Sequence, residues 1–140
     1  MPSTETFRIP KDRRHVSSAR QQVRKALADW GIAGAPADSI TLSANELVTN
    51  AVTHCKVSEA LVRVTLTYDG AELLLEVADP DRDRVPLPHD SAPDEEGGRG
   101  LTLVAALADA WGHRQEPYTK CVWARFTPTR AEEAHVPRAL

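Results

Sequence analysis

An acid and an amide stand four residues apart in the middle of the chain, within the run ANELVTNAVTH. Residues four apart share one face of a helix, so Glu46 and Asn50 are predicted to be neighbours. Together they could form the polar core of a binding site. An isolated pair of this kind is more often an ordinary solvated pair, so the prediction depends on other features of the sequence.

A second set of candidate residues lies further along the chain. Asp79 closes a strand that is predicted to be buried, and residues 97–100, with the sequence GGRG, precede a predicted helix. Glycines let backbone N–H groups approach an anion closely, and a helix N-terminus adds a favourable dipole. Arg99 could pair with phosphate oxygens. A flexible glycine-rich hinge is the common alternative, and since P-loop and Rossmann motifs are absent, phosphate binding here requires a different nucleotide fold.

The patterns around these residues predict helices and strands in blocks. The predicted elements are a strand at 4–9, helices at about 14–30 and 37–55, strands at 62–68 and 73–78, a helix at 101–111 and a strand at 121–126. Asp69-Gly70 predicts a hairpin between the second and third strands. Residues 79–100 fit neither period, which is typical of a lid or binding loop. The fold class is therefore predicted as α+β, a two-layer sandwich with helices on one face of a mainly antiparallel sheet.

Composition limits the functional classes. The chain has 140 residues, is 41% hydrophobic and carries a formal net charge of -3, which suits one compact domain and argues against direct nucleic-acid binding. We expect a single domain at residues 1–127 and a flexible tail at 128–140. No apolar run is long enough to suggest a signal or a membrane span, so a cytoplasmic location is expected. Cys55 and Cys121 are expected to be buried free thiols, and His54 beside Cys55 lacks the second ligand pair of a zinc site.

The order of these motifs resembles the GHKL ATPase superfamily. The matching segments are ANELVTNAVTH, VADPD, GGRGLTLVAALADAWG and KCVWARF, and the resemblance covers nearly the whole chain. More narrowly, the chain resembles the anti-sigma factor serine/threonine kinases of Gram-positive bacteria and their single-domain actinomycete relatives. The resemblance implies a Bergerat ATP-binding fold that binds ATP with Mg²⁺.

Roles for particular residues follow from the same resemblance. Asn50 matches the asparagine that ligates Mg²⁺, and Glu46 matches the general base that takes a proton from a partner serine. Asp79 matches the aspartate that accepts the adenine amino group. His54 fits the end of the helix motif, where it either forms part of the pocket wall and positions the helix or is an ordinary structural histidine. The other residues implied to contact the nucleotide are Gly97, Gly98, Arg99, Gly100, Leu101 and Cys121.

The chain departs from the family pattern at two places. Asp79 is followed by Pro80 and Asp81, where the family commonly has a glycine two residues on, and Cys121 stands at the position assigned to a threonine near the adenine. Pro80 stiffens the start of the lid, Asp81 adds a negative charge, and a thiol is a weaker hydrogen-bonding group than a hydroxyl. Both departures affect the expected affinity for ATP, and neither touches Glu46 or Asn50.

The resemblance implies a regulatory serine kinase that sequesters a sigma factor and phosphorylates an anti-sigma antagonist, and a homodimer is expected from the family. A binding module that sequesters a sigma factor or another partner without phosphoryl transfer is the alternative. A detached domain resembling the catalytic domain of a histidine kinase fits less well, because the chain has no long dimerisation helix with an acceptor histidine.

Overall fold

A five-stranded antiparallel sheet and three helices make up the fold. The computed structural model describes residues 2–81 and 96–128, with the side chains of residues 96–100 left out. The sheet order is β1-β2-β3-β5-β4, and every neighbouring pair is antiparallel. The elements are β1 (Ser3–Pro10), α1 (Val16–Asp29), α2 (Gly34–His54), β2 (Leu61–Tyr68), β3 (Leu73–Asp79), α3 (Glu96–Leu107), β4 (Ala110–Gln115) and β5 (Lys120–Phe126).

The alternating residues of the three central strands separate the two faces of the sheet. Side chains of a strand point alternately to opposite faces, so every second residue enters the core. The buried residues on the helix-facing side are Val62, Val64, Leu66, Tyr68, Leu73, Leu75, Val77, Val122, Ala124 and Phe126. α2 packs on β2, β3 and β5, and α1 packs on β1 and β2. The expected two-layer α+β sandwich is confirmed.

The hairpin between β2 and β3 forms at the predicted turn. The Asp69 carboxylate accepts hydrogen bonds from the backbone N–H groups of Ala71, at 2.8 Å, and Glu72, at 2.7 Å. Gly70 has a φ of +97°, a conformation that residues with a side chain rarely adopt. The turn therefore sets the register in which Val64 pairs with Val77.

The long helix α2 is held in a defined rotation by its neighbours. Its predicted apolar stripe is buried, comprising Ile40, Ala44, Leu47, Val48 and Ala51, with Cys55 just beyond the helix end. On the side that faces α1, Arg20 Nη1 donates to Asn45 Oδ1 at 2.8 Å. This contact and the apolar stripe determine which way Glu46 and Asn50 point.

The predicted helix at 101–111 was wrong at both ends. α3 begins at Glu96 and ends at Leu107, and Trp111 and Gly112 lie in β4. Gly112 pairs with Trp123 of β5, and a Cβ on Gly112 would lie 2.8 Å from Cζ2 of that indole. The helical spacing of the apolar residues is outweighed by strand pairing with β5. This pairing starts just before β4, where Asp109 N donates to Arg125 O at 2.8 Å.

The two central helices run in opposite directions over the sheet. The start of α2, from Ala35 to Ile40, and the end of α3, at Leu107, line one cleft of about 240 Å³ together with Phe126 at the end of β5. The C-terminal end of α2 and the N-terminal end of α3 therefore lie toward the opposite end of the sheet. That end also holds the last residue of β3, because β3 and β5 are antiparallel.

Candidate functional site

The acid and amide of α2 lie in a covered part of the helix. Asn50 is only 6% exposed, and Glu46 is half-buried. A solvated surface pair would leave both side chains exposed, so the burial of Asn50 argues against that alternative. Asn50 lies one turn before His54, the last residue of α2, and Glu46 lies one turn earlier. The pair therefore lies in the C-terminal half of α2, and Asn50 lies near the end of the sheet where α2 terminates.

Asp79, the last residue of β3, lies at the same end of the sheet. Its side chain is 2% exposed, and Oδ1 accepts a hydrogen bond from the backbone N–H of Asp81 at 2.8 Å. The carboxylate of Asp81 in turn accepts from the backbone N–H of Lys56, just beyond α2, at 3.0 Å. This chain of contacts joins the end of β3 to the end of α2. The aspartate that follows Pro80 therefore ties the first residues of the 79–100 segment to α2.

The structure adds a residue that sequence reasoning missed. Lys120, the first residue of β5, is paired in register with Asp79, and its Nζ lies 3.4 Å from Asp79 Oδ2. Both side chains are buried, with 1% of Lys120 exposed. A lysine is almost never fully buried unless it is paired with an opposite charge. A signal was present in the sequence: Lys120 has the same strand parity as the core residues Val122 and Ala124.

The structure places Cys121, which the resemblance implies near the adenine, on the other face of the sheet from Asp79. Cys121 pairs with Ala78 and Arg114, so its side chain lies on the face opposite to that of Asp79 and Lys120. Burial raises the pKa of the Cys121 thiol to about 11, with Glu76 and Glu116 also raising it and Arg114 lowering it. These neighbours belong to the face of the sheet opposite to the three described helices, called the helix-free face below. Lys120, one residue earlier, lies next to Asp79.

The glycine cluster lies inside a helix. Residues 97–100 form the beginning of α3, and the backbone N–H groups of its first four residues have no partner within the helix. An N-terminus of this kind favours an anion. Leu101 is 2% exposed and belongs to the hydrophobic core, where it anchors this end of α3. Residues 82–95, which make up most of the expected lid, lie outside the described residues, as does the tail from residue 129.

Several predicted residues therefore lie toward one end of the sheet. The C-terminal turns of α2 bring Asn50, the end of β3 brings Asp79, and the antiparallel course of the helices brings the start of α3. Lys120 joins them from β5. An amide oxygen and a helix N-terminus form a suitable environment for Mg²⁺ bound to phosphates, because Mg²⁺ prefers oxygen ligands and needs few protein side chains when phosphates supply the others. Between residues 2–81 and 96–128 no cluster of three acidic, histidine or cysteine side chains could hold a metal by itself.

The helix-free face of the sheet has a different character. Arg114 forms ion pairs with Glu76 and with Glu116, the latter at 3.1 Å, and Glu116 also contacts Arg63 at 3.5 Å. The pKa of Glu116 is held below its ordinary value, chiefly by a hydrogen bond from Thr119 and then by Arg114. A groove of about 360 Å³ on this face includes Trp123 and Arg125. Because β strands alternate, this groove is separated from Asp79 by the sheet.

Comparisons with known proteins agree with this architecture. The family model for the histidine kinase-like ATPase domain matches residues 9–126. A crystal structure of the RsbU and RsbW domains of Rv1364c from Mycobacterium tuberculosis is similar, with a TM-score of 0.71 and 17% sequence identity. The match covers 91% of this chain and 32% of that one, so the present chain spans about a third of its length. No curated protein matches the chain. Among the described helices, none is long and apolar enough to cross a membrane.

Proposed function

This chain belongs to the family of histidine kinase-like ATPase domains, and from this premise we propose that it binds ATP with Mg²⁺ and acts as an anti-sigma factor with serine-protein kinase activity. Its phosphoryl acceptor is an anti-sigma antagonist, and its partners are that antagonist, a sigma factor and a second copy of the chain. The observation that supports the proposal is that Asn50, Asp79 and the start of α3 all lie toward one end of the sheet. The fold similarity to a chain that contains an RsbW domain supports it.

The proposal divides nucleotide binding between two side chains and a helix N-terminus. Asn50 would hold Mg²⁺ through its amide oxygen, and a bound Mg²⁺ would supply neutralisation of charge on the phosphates. Asp79 accepts a hydrogen bond from the amino group of adenine, a buried contact that selects adenine over guanine. The N–H groups at the start of α3 bind phosphate oxygens.

Glu46 acts as the general base in the transfer step. Its carboxylate takes the proton of the acceptor serine as the serine oxygen bonds to the γ-phosphorus, and the bond to the departing ADP oxygen breaks. A base must meet both the nucleotide and a partner protein. The half-buried position of Glu46, one turn from the buried Asn50, suits that double task.

A binding module without phosphoryl transfer is the second candidate, since Asn50, Asp79 and the start of α3 can hold a nucleotide without a transfer step. In this alternative the chain sequesters its partner and holds nucleotide without turnover.

Calorimetric titration of ATP, with and without Mg²⁺, tests the pocket. We expect N50A to lose the Mg²⁺-dependent part of the affinity. N45A is a matched control, because Asn45 is another asparagine of α2 whose side chain contacts Arg20 instead. Undiminished Mg²⁺-dependent binding in N50A, or an equal loss in N45A, would refute the assignment of Asn50.

Phosphoryl transfer from labelled ATP to candidate antagonists separates the two functions. E46Q is expected to bind ATP normally and to transfer phosphate about 10²–10⁴ times more slowly. Transfer by E46Q at the wild-type rate would remove Glu46 from the mechanism. ATP binding without transfer to any antagonist, together with stable binding of a sigma factor, would favour the binding module.

A further inference from the structure

A buried pair of opposite charges lies where the proposed base-binding aspartate ends its strand. Asp79 is the last residue of β3 and Lys120 the first of β5, so the pair lies at the end of the sheet rather than within it. The two side chains are 2% and 1% exposed. Burying an ion pair is costly, and apolar residues of similar volume are often as stable or more so. Stability alone therefore gives a weak reason for this pair.

The orientation of the carboxylate is set by its surroundings. Asp79 Oδ1 receives the backbone N–H of Asp81 at 2.8 Å, and Asp81 is itself held by the N–H of Lys56 at 3.0 Å. This arrangement leaves Oδ2 on the side of Lys120, at 3.4 Å from Nζ. An acceptor and a donor thus lie next to each other, with the acceptor fixed by backbone contacts. Such pre-orientation lowers the entropy cost of recognising a ligand.

Adjacent acceptor and donor groups match the polar edge of adenine. That edge presents an amino donor at position 6 and an acceptor at N1, side by side. An ammonium has three N–H donors, so Lys120 can keep its contact with Asp79 and donate to a base as well. We propose that Lys120 is a specificity-determining residue: it donates to adenine N1 while Asp79 accepts from the 6-amino group. This inference rests on the proposed binding of ATP.

The arrangement predicts strong rejection of guanine. With the same orientation of the purine, the O6 of guanine would face the carboxylate of Asp79, and its N1–H would face the ammonium of Lys120. Both contacts then place like groups together, and a site built from buried polar groups strongly rejects a ligand that leaves them unpaired. One aspartate alone would supply only the first of these two penalties.

Two ATP analogues separate the two contacts in the unmodified protein. 1-Deaza-ATP lacks the N1 acceptor but keeps the amino group, whereas purine riboside triphosphate lacks the amino group but keeps N1. Titrated calorimetrically with Mg²⁺, 1-deaza-ATP is expected to bind at least about tenfold more weakly than ATP, because a hydrogen bond from a charged donor is lost. Binding of ATP and 1-deaza-ATP within about twofold of each other would overturn the role of Lys120 and leave the proposed function intact.

Variants then assign the discrimination to one side chain. K120M should bind ATP and 1-deaza-ATP equally, K120Q should recover part of the preference through its amide donor, and the penalty for purine riboside triphosphate should persist in K120M. K11M is the matched control, since Lys11 donates to the carbonyl of Cys55 beyond the end of α2 and should not alter the ratio. Unchanged discrimination in K120M would overturn the inference. If wild type bound none of the three triphosphates, the proposed function would fall, and the inference with it.

Discussion

Replacing Lys120 by methionine removes one charge of the buried pair while nearly preserving the length of the side chain. The remaining carboxylate of Asp79 is 2% exposed and keeps the N–H of Asp81 as a donor. At a separation of 3.4 Å, two unit charges attract by about 5 kcal/mol for an effective dielectric constant near 20. The desolvation of both charges offsets much of this attraction. When only one partner is removed, the remaining charge is still desolvated but the attraction is lost. We therefore expect K120M to lower the free energy of unfolding by about 3–5 kcal/mol.

Urea denaturation measures this loss. A decrease of about 3 kcal/mol corresponds to a fall of roughly 1–3 M in the urea midpoint for a domain of ordinary slope. The double variant D79N/K120M removes both charges and should recover most of the stability, because no buried charge is left without a partner. The coupling between the two substitutions should therefore be large and favourable.

The chain supplies a control with the same geometry on its surface. Lys25 Nζ and Asp29 Oδ2 also lie 3.4 Å apart, but these side chains are 80% and 60% exposed. K25M is expected to change the stability by less than about 0.5 kcal/mol, because exposed pairs one helical turn apart contribute little. If K120M cost no more than K25M, or if the effects of D79N and K120M simply added, the argument from burial would be refuted.

Two further predictions concern the edge of the sheet and the helix-free face. G112V should lower the free energy of unfolding by about 1–3 kcal/mol and shift the fluorescence of Trp123, because the new Cβ would lie 2.8 Å from that indole. H113V, at the adjacent and exposed residue, should have little effect. An equal effect of both would contradict the packing. In a C55A background, Cys121 should react with a disulfide reagent at pH 8 at least about tenfold more slowly in the folded than in the unfolded protein, since the thiol is buried and its pKa is raised from 9.0 to about 11. The thiol ionises at lower pH in the unfolded chain, so Cys121 should lower the free energy of unfolding as pH rises from 9 to 11, and C121A should reduce that loss. Reaction of the native thiol at the rate of the unfolded thiol would refute its raised pKa.

Much of the fold could be predicted from local patterns. The alternation in residues 62–68 and 73–78 and the Asp69-Gly70 turn indicate a hairpin without reference to the rest of the chain, and the structure confirms it. The helical stripe through Ala44, Leu47 and Ala51 likewise placed α2 within a few residues of its bounds. Such patterns succeed because the burial of one face is a local property of helix and strand periodicity. The resemblance to the GHKL superfamily is confirmed by the family match over residues 9–126.

The segment around Trp111 shows where local patterns fail. Its apolar residues fit a helix through Gly112, but residues 110–115 form β4. They pair with the edge of β5 that β3 leaves open, and Trp123 packs against Gly112. Strand pairing joins residues that are distant in sequence, so its free energy does not appear in any short window. Tertiary context therefore outweighed a helical spacing that was locally plausible.

The candidate site divides in the same way. The sequence by itself determined that Glu46 and Asn50 share a helix face and that Asp79 ends a buried strand. Both follow from the periodicity of side chains within one helix or one strand. Only the tertiary structure decided that Lys120, and not Cys121, lies beside Asp79. The physical reason is register: a shift of one residue between β3 and β5 exchanges the faces of every side chain, and that register is set by packing across the whole sheet.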